Sequence, residues 1–131
     1  IPTEEKIQYI QSLLRCGFDT IDFGSFVSPK AIPQMQDTAA VLAGLDLSAT
    51  KSKLLSIVAN VRGAEAAVIY PEIQYLGYPF SISENFQMRN THKTIAQSIE
   101  TLEAILNLAE VNNKEVVAYL SMGFGNPYGD P

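Results

Sequence analysis

The sequence is poor in the residues that build metal centres and disulfide frameworks. It has one cysteine, Cys16, one histidine, His92, and no tryptophan. A lone cysteine excludes an internal disulfide and a Cys-rich zinc site. A lone histidine excludes a multi-His metal site made by this chain alone. Basic residues are also scarce: nine Lys and Arg against fourteen Asp and Glu leave a net charge of −5. No basic face that tracks phosphates is expected, so nucleic acid is not a predicted partner. A polybasic membrane tether is excluded on the same ground. No run of about 18 apolar residues occurs, so no membrane span is predicted. No basic segment leads into an apolar stretch and a small-residue cleavage site, so no signal peptide is read. The expectation is a soluble chain, with the cytoplasm as its compartment. What remains is globular composition, 47% hydrophobic and 18% charged. Its 131 residues allow one domain with a buried core. Ile1 in place of Met, and the loop-type Gly-Asp-Pro at 129–131, predict a segment of something longer, truncated at both ends.

Apolar periodicity then gives the elements. Residues 3–16 predict a helix, with Thr3 as N-cap and Glu4 and Glu5 where the helix dipole favours anions. Gly17 suits its C-terminal cap. Residues 18–23 alternate and predict a strand. A long connection over 24–37 carries Pro29 and Pro33 and leads to a modest helix near 36–45. A second strand is predicted at 54–59, a short helix at 63–70, and a third strand at 73–78, ended by Pro79. Thr94 and Gln97 fit a capping box at the start of a helix over 94–111, striped by Ile95, Ile99, Leu102 and Ile105. Residues 116–121 predict a fourth strand, which runs into a loop with Gly123, Gly125 and Gly129. Strict α-β alternation implies a parallel sheet with crossover helices. Two architectures fit: an open doubly wound sheet, or part of a (β/α)8 barrel. Both place functional groups at the C-terminal ends of the strands.

Few residues there carry chemistry. Asp22 lies in an otherwise apolar strand, where a carboxylate is costly unless it is paired. It either orients a cation or substrate or makes a structural ion pair. Tyr119 and Ser121 share one face by the period-2 rule and offer two hydroxyls, or simply β-propensity and a loop serine. The final glycine loop is a poor phosphate loop, with its third glycine one place late and Pro127 inside it. Cys16 reads as a packing residue, since free cysteines are usually buried. His92 reads as a solvated or capping residue, and Asn90 as turn chemistry or as a group reaching over the strand ends.

The string Ser25-Phe-Val-Ser-Pro-Lys-Ala-Ile-Pro-Gln-Met-Gln-Asp37 resembles the hallmark stretch of hydroxymethylglutaryl-CoA lyases. Weaker likenesses are Pro2-Thr3, the Ser83-Glu84-x-Phe86-x-x-x-Asn90 segment and the Tyr119 to Gly129 loop. The resemblance implies part of a TIM (β/α)8 barrel of the pyruvate-carboxyltransferase type, roughly its second to fifth strands. It implies metal-assisted retro-aldol cleavage of 3-hydroxy-3-methylglutaryl-CoA by the full-length parent, with Mg²⁺ or Mn²⁺ as cofactor and an acyl-CoA as partner. Asp22 would stand where the family usually has a Glu that contacts a catalytic Arg. Ser25, Asn90, Tyr119 and Ser121 would line the substrate pocket. The family's Arg and Asp of the first strand, its His-x-His pair and its Cys loop have no counterpart among these residues. The segment alone is therefore expected to hold no metal tightly and to be inactive. Two alternatives stand beside this reading: a segment of a claisen-condensing relative of the isopropylmalate or homocitrate synthase type, and a non-catalytic half-barrel. A half-barrel leaves two unpaired parallel edges, so a homo-oligomer is expected.

Overall fold

A computed structural model describes residues 1–129; Asp130 and Pro131, part of the loop-type ending, lie outside them. Four strands, β1 (Thr20–Ser25), β2 (Lys53–Ile57), β3 (Ile73–Ser81) and β4 (Glu115–Ser121), form one parallel sheet in the order β1-β2-β3-β4. Between them run α1 (Thr3–Leu14), a 3-10 turn (Pro33–Met35), α2 (Thr38–Ala43), α3 (Val61–Val68), α4 (Glu84–Thr91) and α5 (Ile95–Val111). The predicted alternation holds, and sequential order across the sheet is the barrel pattern rather than the doubly wound one.

The two faces of the sheet differ. On the outer face Ile21, Phe23, Leu54, Val58, Leu76 and Tyr78 are buried against Ile10, Leu14, Val41, Leu42, Ala64, Ala67, Ile105 and Ala109 of the helices. Register places Asp22 level with Leu55, Ser25 with Ile57, and Ile57 with Gly77. Tyr119 is level with Pro79 and Ser121 with Ser81. Side chains at paired positions share a face, so these residues form the inner face. A bulge between Asp22 and Gly24 keeps both Asp22 and Ser25 on it, although they are three positions apart.

Four local expectations are corrected. Thr3 does not cap α1; its hydroxyl donates to Asp37 Oδ2 at 2.7 Å, and Pro2 takes the N-cap position. β3 runs through Pro79 to Ser81. Val58 N–H donates to Gly77 C=O and Ile82 N–H to Ser121 C=O. Backbone alternation therefore turns Pro79 towards the β2 side, beyond the end of β2, where no N–H is needed. A whole helix, α4, fills the gap between β3 and α5; Ser83 caps it by accepting from Phe86 N–H. Cys16 is exposed rather than buried. The capping box of α5 is present as expected, with Thr94 and Gln97 bonded reciprocally.

The hallmark string has a structural job. Asp37 at its end pairs with Lys6 at 2.6 Å, and Lys6 also donates to Gln34 C=O. Thr38 fastens the other side: its hydroxyl accepts from Ser25 N–H at 3.1 Å and lies 3.0 Å from Ser25 C=O and 2.8 Å from Met35 C=O. A Cβ at Gly24 would stand 2.7 Å from Thr38 Cγ2, so this seat requires glycine. The Lys6 ammonium, and then the Thr3 hydroxyl, hold the Asp37 carboxyl below the ordinary carboxylate range. Its stabilising effect is complete above the unfolded chain's carboxylate titration and is lost as pH falls through the lowered folded value. Asp37→Asn is expected to cost about 1 kcal/mol at neutral pH. In urea denaturation the gap between variant and parent should close in strongly acid solution; a gap independent of pH would refute this.

Candidate functional site

Asp22, Ser25, Tyr119 and Ser121 all lie on the inner face of the sheet, from its middle to its C-terminal end. Asp22 sits on the edge strand β1 and is open to solvent, yet the sheet around it withdraws enough water to push its carboxyl above the ordinary range. A hydrogen bond from Gly24 N–H opposes that shift. Among the described residues the ion pair found is Lys6–Asp37, so the structural pair that would have explained Asp22 is not there.

Tyr119 comes from the other edge strand, β4. Its ring is seated over Gly77: a Cβ there would stand 2.9 Å from Tyr119 Cε2, 2.7 Å from Ile57 Cδ1 and 2.8 Å from Leu55 Cδ2. Gly77 is therefore the gap in the inner wall that lets the phenol lie across the sheet. Burial, and then the charge of Asp22, push the Tyr119 hydroxyl above its ordinary range. The carboxylate and the phenol thus face the same space from opposite edges. At physiological pH they offer one acceptor charge and one protonated donor.

The serines are differently placed. Ser25 is 7% exposed, and its hydroxyl donates to Ile57 C=O at 3.2 Å. Ser121 is half-buried at the strand end, and its carbonyl accepts from Ser81 Oγ at 3.2 Å and Ile82 N–H at 3.3 Å. Asn90 does not join the four. It lies on the exposed side of α4, and its neighbour Arg89 stacks on the Tyr128 ring of the glycine loop at 4.4 Å. His92 is the left-handed C-cap of α4, φ 56°, in keeping with a capping role. The glycine loop passes through Met122 at φ 64° and Gly125 at φ 120° and forms no helix within the described residues, so it lacks the build of a phosphate loop.

Sequence reading missed the polar groups that hold the strand ends in place. Gln87, 1% exposed, accepts from Ser81 N–H at 2.9 Å and donates to Thr91 Oγ1 at 2.9 Å and to Ser98 Oγ. Its spacing after the Ser83 cap was the available signal. At the opposite end Lys114 donates to Tyr70 C=O at 2.7 Å and Ile73 C=O at 2.6 Å, and burial lowers its pKa. That clasp lies far from the candidate site.

Among the described residues no cluster of three or more His, Cys, Asp or Glu is placed to hold a metal ion. One carboxylate beside a phenol and serine hydroxyls does not match the several carboxylate and water oxygens that Mg²⁺ or Mn²⁺ takes. Nor is any described helix long and apolar enough to cross a membrane.

These features define a parallel α/β sheet of the (β/α)8-barrel class, with an acid and a phenol on its inner face. No family model matches the chain. It is 36% identical over 128 residues to hydroxymethylglutaryl-CoA lyase YngG of Bacillus subtilis, covering 98% of this chain and 42% of that protein. It is 35% identical over 130 residues to the mitochondrial hydroxymethylglutaryl-CoA lyase of Homo sapiens, covering 98% of this chain and 39% of the relative. A crystal structure of the B. subtilis HMG-CoA lyase superposes with a TM-score of 0.92 at 35% identity, over all of this chain and 43% of its own. An A. baumannii HMG-CoA lyase in complex with coenzyme A and 3-methylmalate superposes at 0.89 and 30% identity, over 98% of this chain and 41% of its own. The chain is homologous, as a segment, to the hydroxymethylglutaryl-CoA lyases, and it spans about two fifths of the length of the relatives it matches.

Proposed function

We propose that the chain supplies the second to fifth strands of a hydroxymethylglutaryl-CoA lyase-like barrel and is truncated at both ends. The whole protein would cleave 3-hydroxy-3-methylglutaryl-CoA to acetyl-CoA and acetoacetate. In that reaction a base removes the tertiary hydroxyl proton and the oxygen becomes the ketone of acetoacetate. The bond to the thioester's α-carbon breaks, and its electron pair is protonated to give acetyl-CoA. Asp22 would fix the charge pattern beside the reacting oxygen. Tyr119 and Ser121 would line the pocket with donors, Ser25 would shape its floor, and Asn90 would contribute from α4 above the rim. The divalent metal implied by the resemblance would need ligands other than these residues. We read the 131-residue segment alone as inactive. The cytoplasm is likewise proposed; relatives carry both cytoplasmic and mitochondrial in their names, and cell fractionation decides between them.

One observation supports this reading most: the match runs along the whole chain and coincides with an inner face carrying Asp22, Tyr119 and Ser121. The test is a chimaera in which these residues replace the aligned 128 residues of the B. subtilis lyase. It should form acetyl-CoA and acetoacetate with kcat/KM within about 100-fold of that lyase, a loss of under ~3 kcal/mol. A folded, metal-loaded chimaera without turnover would refute the lyase reading. Robust turnover by the isolated 131-residue chain would refute its inactivity.

A further inference from the structure

Glycine is a poor strand residue, because it packs nothing and gives up the most backbone freedom on folding. Gly77 nevertheless stands buried in the middle of β3, between β2 and β4. Its φ is not positive, and the pairing with β4 runs through it without a bulge. Neither backbone conformation nor sheet geometry therefore asks for glycine here. Space does.

That space is filled from both neighbouring strands. Leu55 Cδ2 and Ile57 Cδ1 of β2 and Tyr119 Cε2 of β4 stand 2.8, 2.7 and 2.9 Å from where a Cβ would be. Tyr119 is level with Pro79, so its ring leans back to the same-face neighbour two positions earlier on β3. Cε2 is the ring carbon beside the one that bears the hydroxyl. The hydroxyl end of the ring, not its root, thus lies over Gly77. A methyl at this point leaves no room for all three side chains. Leu55 is 4% exposed and hemmed in, while Tyr119 is 39% exposed, so the ring is the group that swings away.

We propose that Gly77 is a positioning residue of the site: its missing side chain seats the Tyr119 ring and so fixes where the phenol hydroxyl meets the substrate. This use of the seat rests on the lyase reading, in which an acyl-CoA lies on the inner face. Covered by the ring, Gly77 touches no substrate atom and acts only through Tyr119. Misplacing a positioned group by about 1 Å can cost on the order of 100-fold in rate.

A double-mutant cycle in the chimaera, with Gly77→Ala and Tyr119→Phe, is the test. Each alone should lower kcat/KM about 10-fold or more. Together they should match Tyr119→Phe within about twofold, because a hydroxyl already removed cannot be misplaced. A mere packing role at Gly77 makes the two losses multiply, and that result would overturn the proposal. So would full turnover by Gly77→Ala, which means that the aliphatic ends give way and the ring stays. The 131-residue chain supplies a readout that needs no turnover. The Gly77 α-protons should show nuclear Overhauser contacts to the Tyr119 ring. Gly77→Ala should shift the ring resonances and leave the far-ultraviolet circular dichroism unchanged. If those contacts are missing, the seat does not exist and the proposal fails. A folded, metal-loaded chimaera without either substitution and without turnover would instead refute the lyase reading, and the catalytic use of the seat with it. The ring contacts in the chain would then still show the seat itself.

Discussion

Gln87→Leu lowers the stability of the chain by about 3 kcal/mol, and its melting temperature by about 10 °C. Leucine matches the volume, so the loss comes from polar groups left without partners. Gln87 sits at 1% exposure on α4 and serves three of them. Its carbonyl takes Ser81 N–H at 2.9 Å, and its amide gives to Thr91 Oγ1 and Ser98 Oγ. Ser81 and Ser98 are themselves 1% and 0% exposed. Water reaches neither, so each orphaned group costs about 1–3 kcal/mol. Part of that is recovered by the apolar burial of leucine. Ser81 ends β3 and its hydroxyl reaches Ser121 C=O at 3.2 Å, so losing its amide bond loosens the strand end beside the candidate site. Hydrogen exchange should therefore show lost protection at Ser81 and along α4, beyond any global effect. Met88→Ala, on the exposed side of the same helix, should change stability by less than about 0.5 kcal/mol. Urea denaturation measures both variants. A Gln87→Leu variant within 0.5 kcal/mol of the parent would mean that the hub is not formed.

The same residue shows where sequence reading stops. Periodicity located α1 and α5 because their burial is one-sided: Ile7, Ile10 and Leu14 repeat on one face of α1. The strands were legible as short apolar runs between turn residues; β2, with Leu54, Leu55 and Ser56 all buried, shows no alternation. α4 has no such stripe. Its buried residue is Gln87, and its neighbours are Met88, Arg89 and Asn90. A helix held by hydrogen bonds rather than by apolar area leaves no hydrophobic period. Pro79 misled for a related reason, because the penalty of a missing N–H depends on which side of the strand has a neighbour. The bulge after Asp22 is likewise invisible in the sequence, and without it Asp22 and Ser25 would point to opposite faces. Tyr119 was read from its own strand, but its position depends on Gly77, a contact between residues 42 positions apart.

Asp22→Asn in the chimaera lowers kcat/KM about 100-fold or more, while in the 131-residue chain it leaves stability unchanged or raises it. The two halves together separate a functional carboxylate from a structural one. Asp22 makes no ion pair with a described residue, and partial loss of water lifts its pKa above the unfolded value. Between the unfolded and folded titrations the native chain holds more protons than the unfolded one, so stability falls as pH rises through that window. At neutral pH the ionised carboxylate is therefore a net cost to folding. Asparagine removes the charge and retains an oxygen to accept from Gly24 N–H. A residue that costs stability and is kept for charge is what a functional site requires. Asp22→Glu should retain most of the activity, since the resemblance implies glutamate at this position and the carboxylate is preserved. Large destabilisation of the chain by Asp22→Asn, with the chimaera's activity intact, would reverse the assignment and make Asp22 a structural residue of β1.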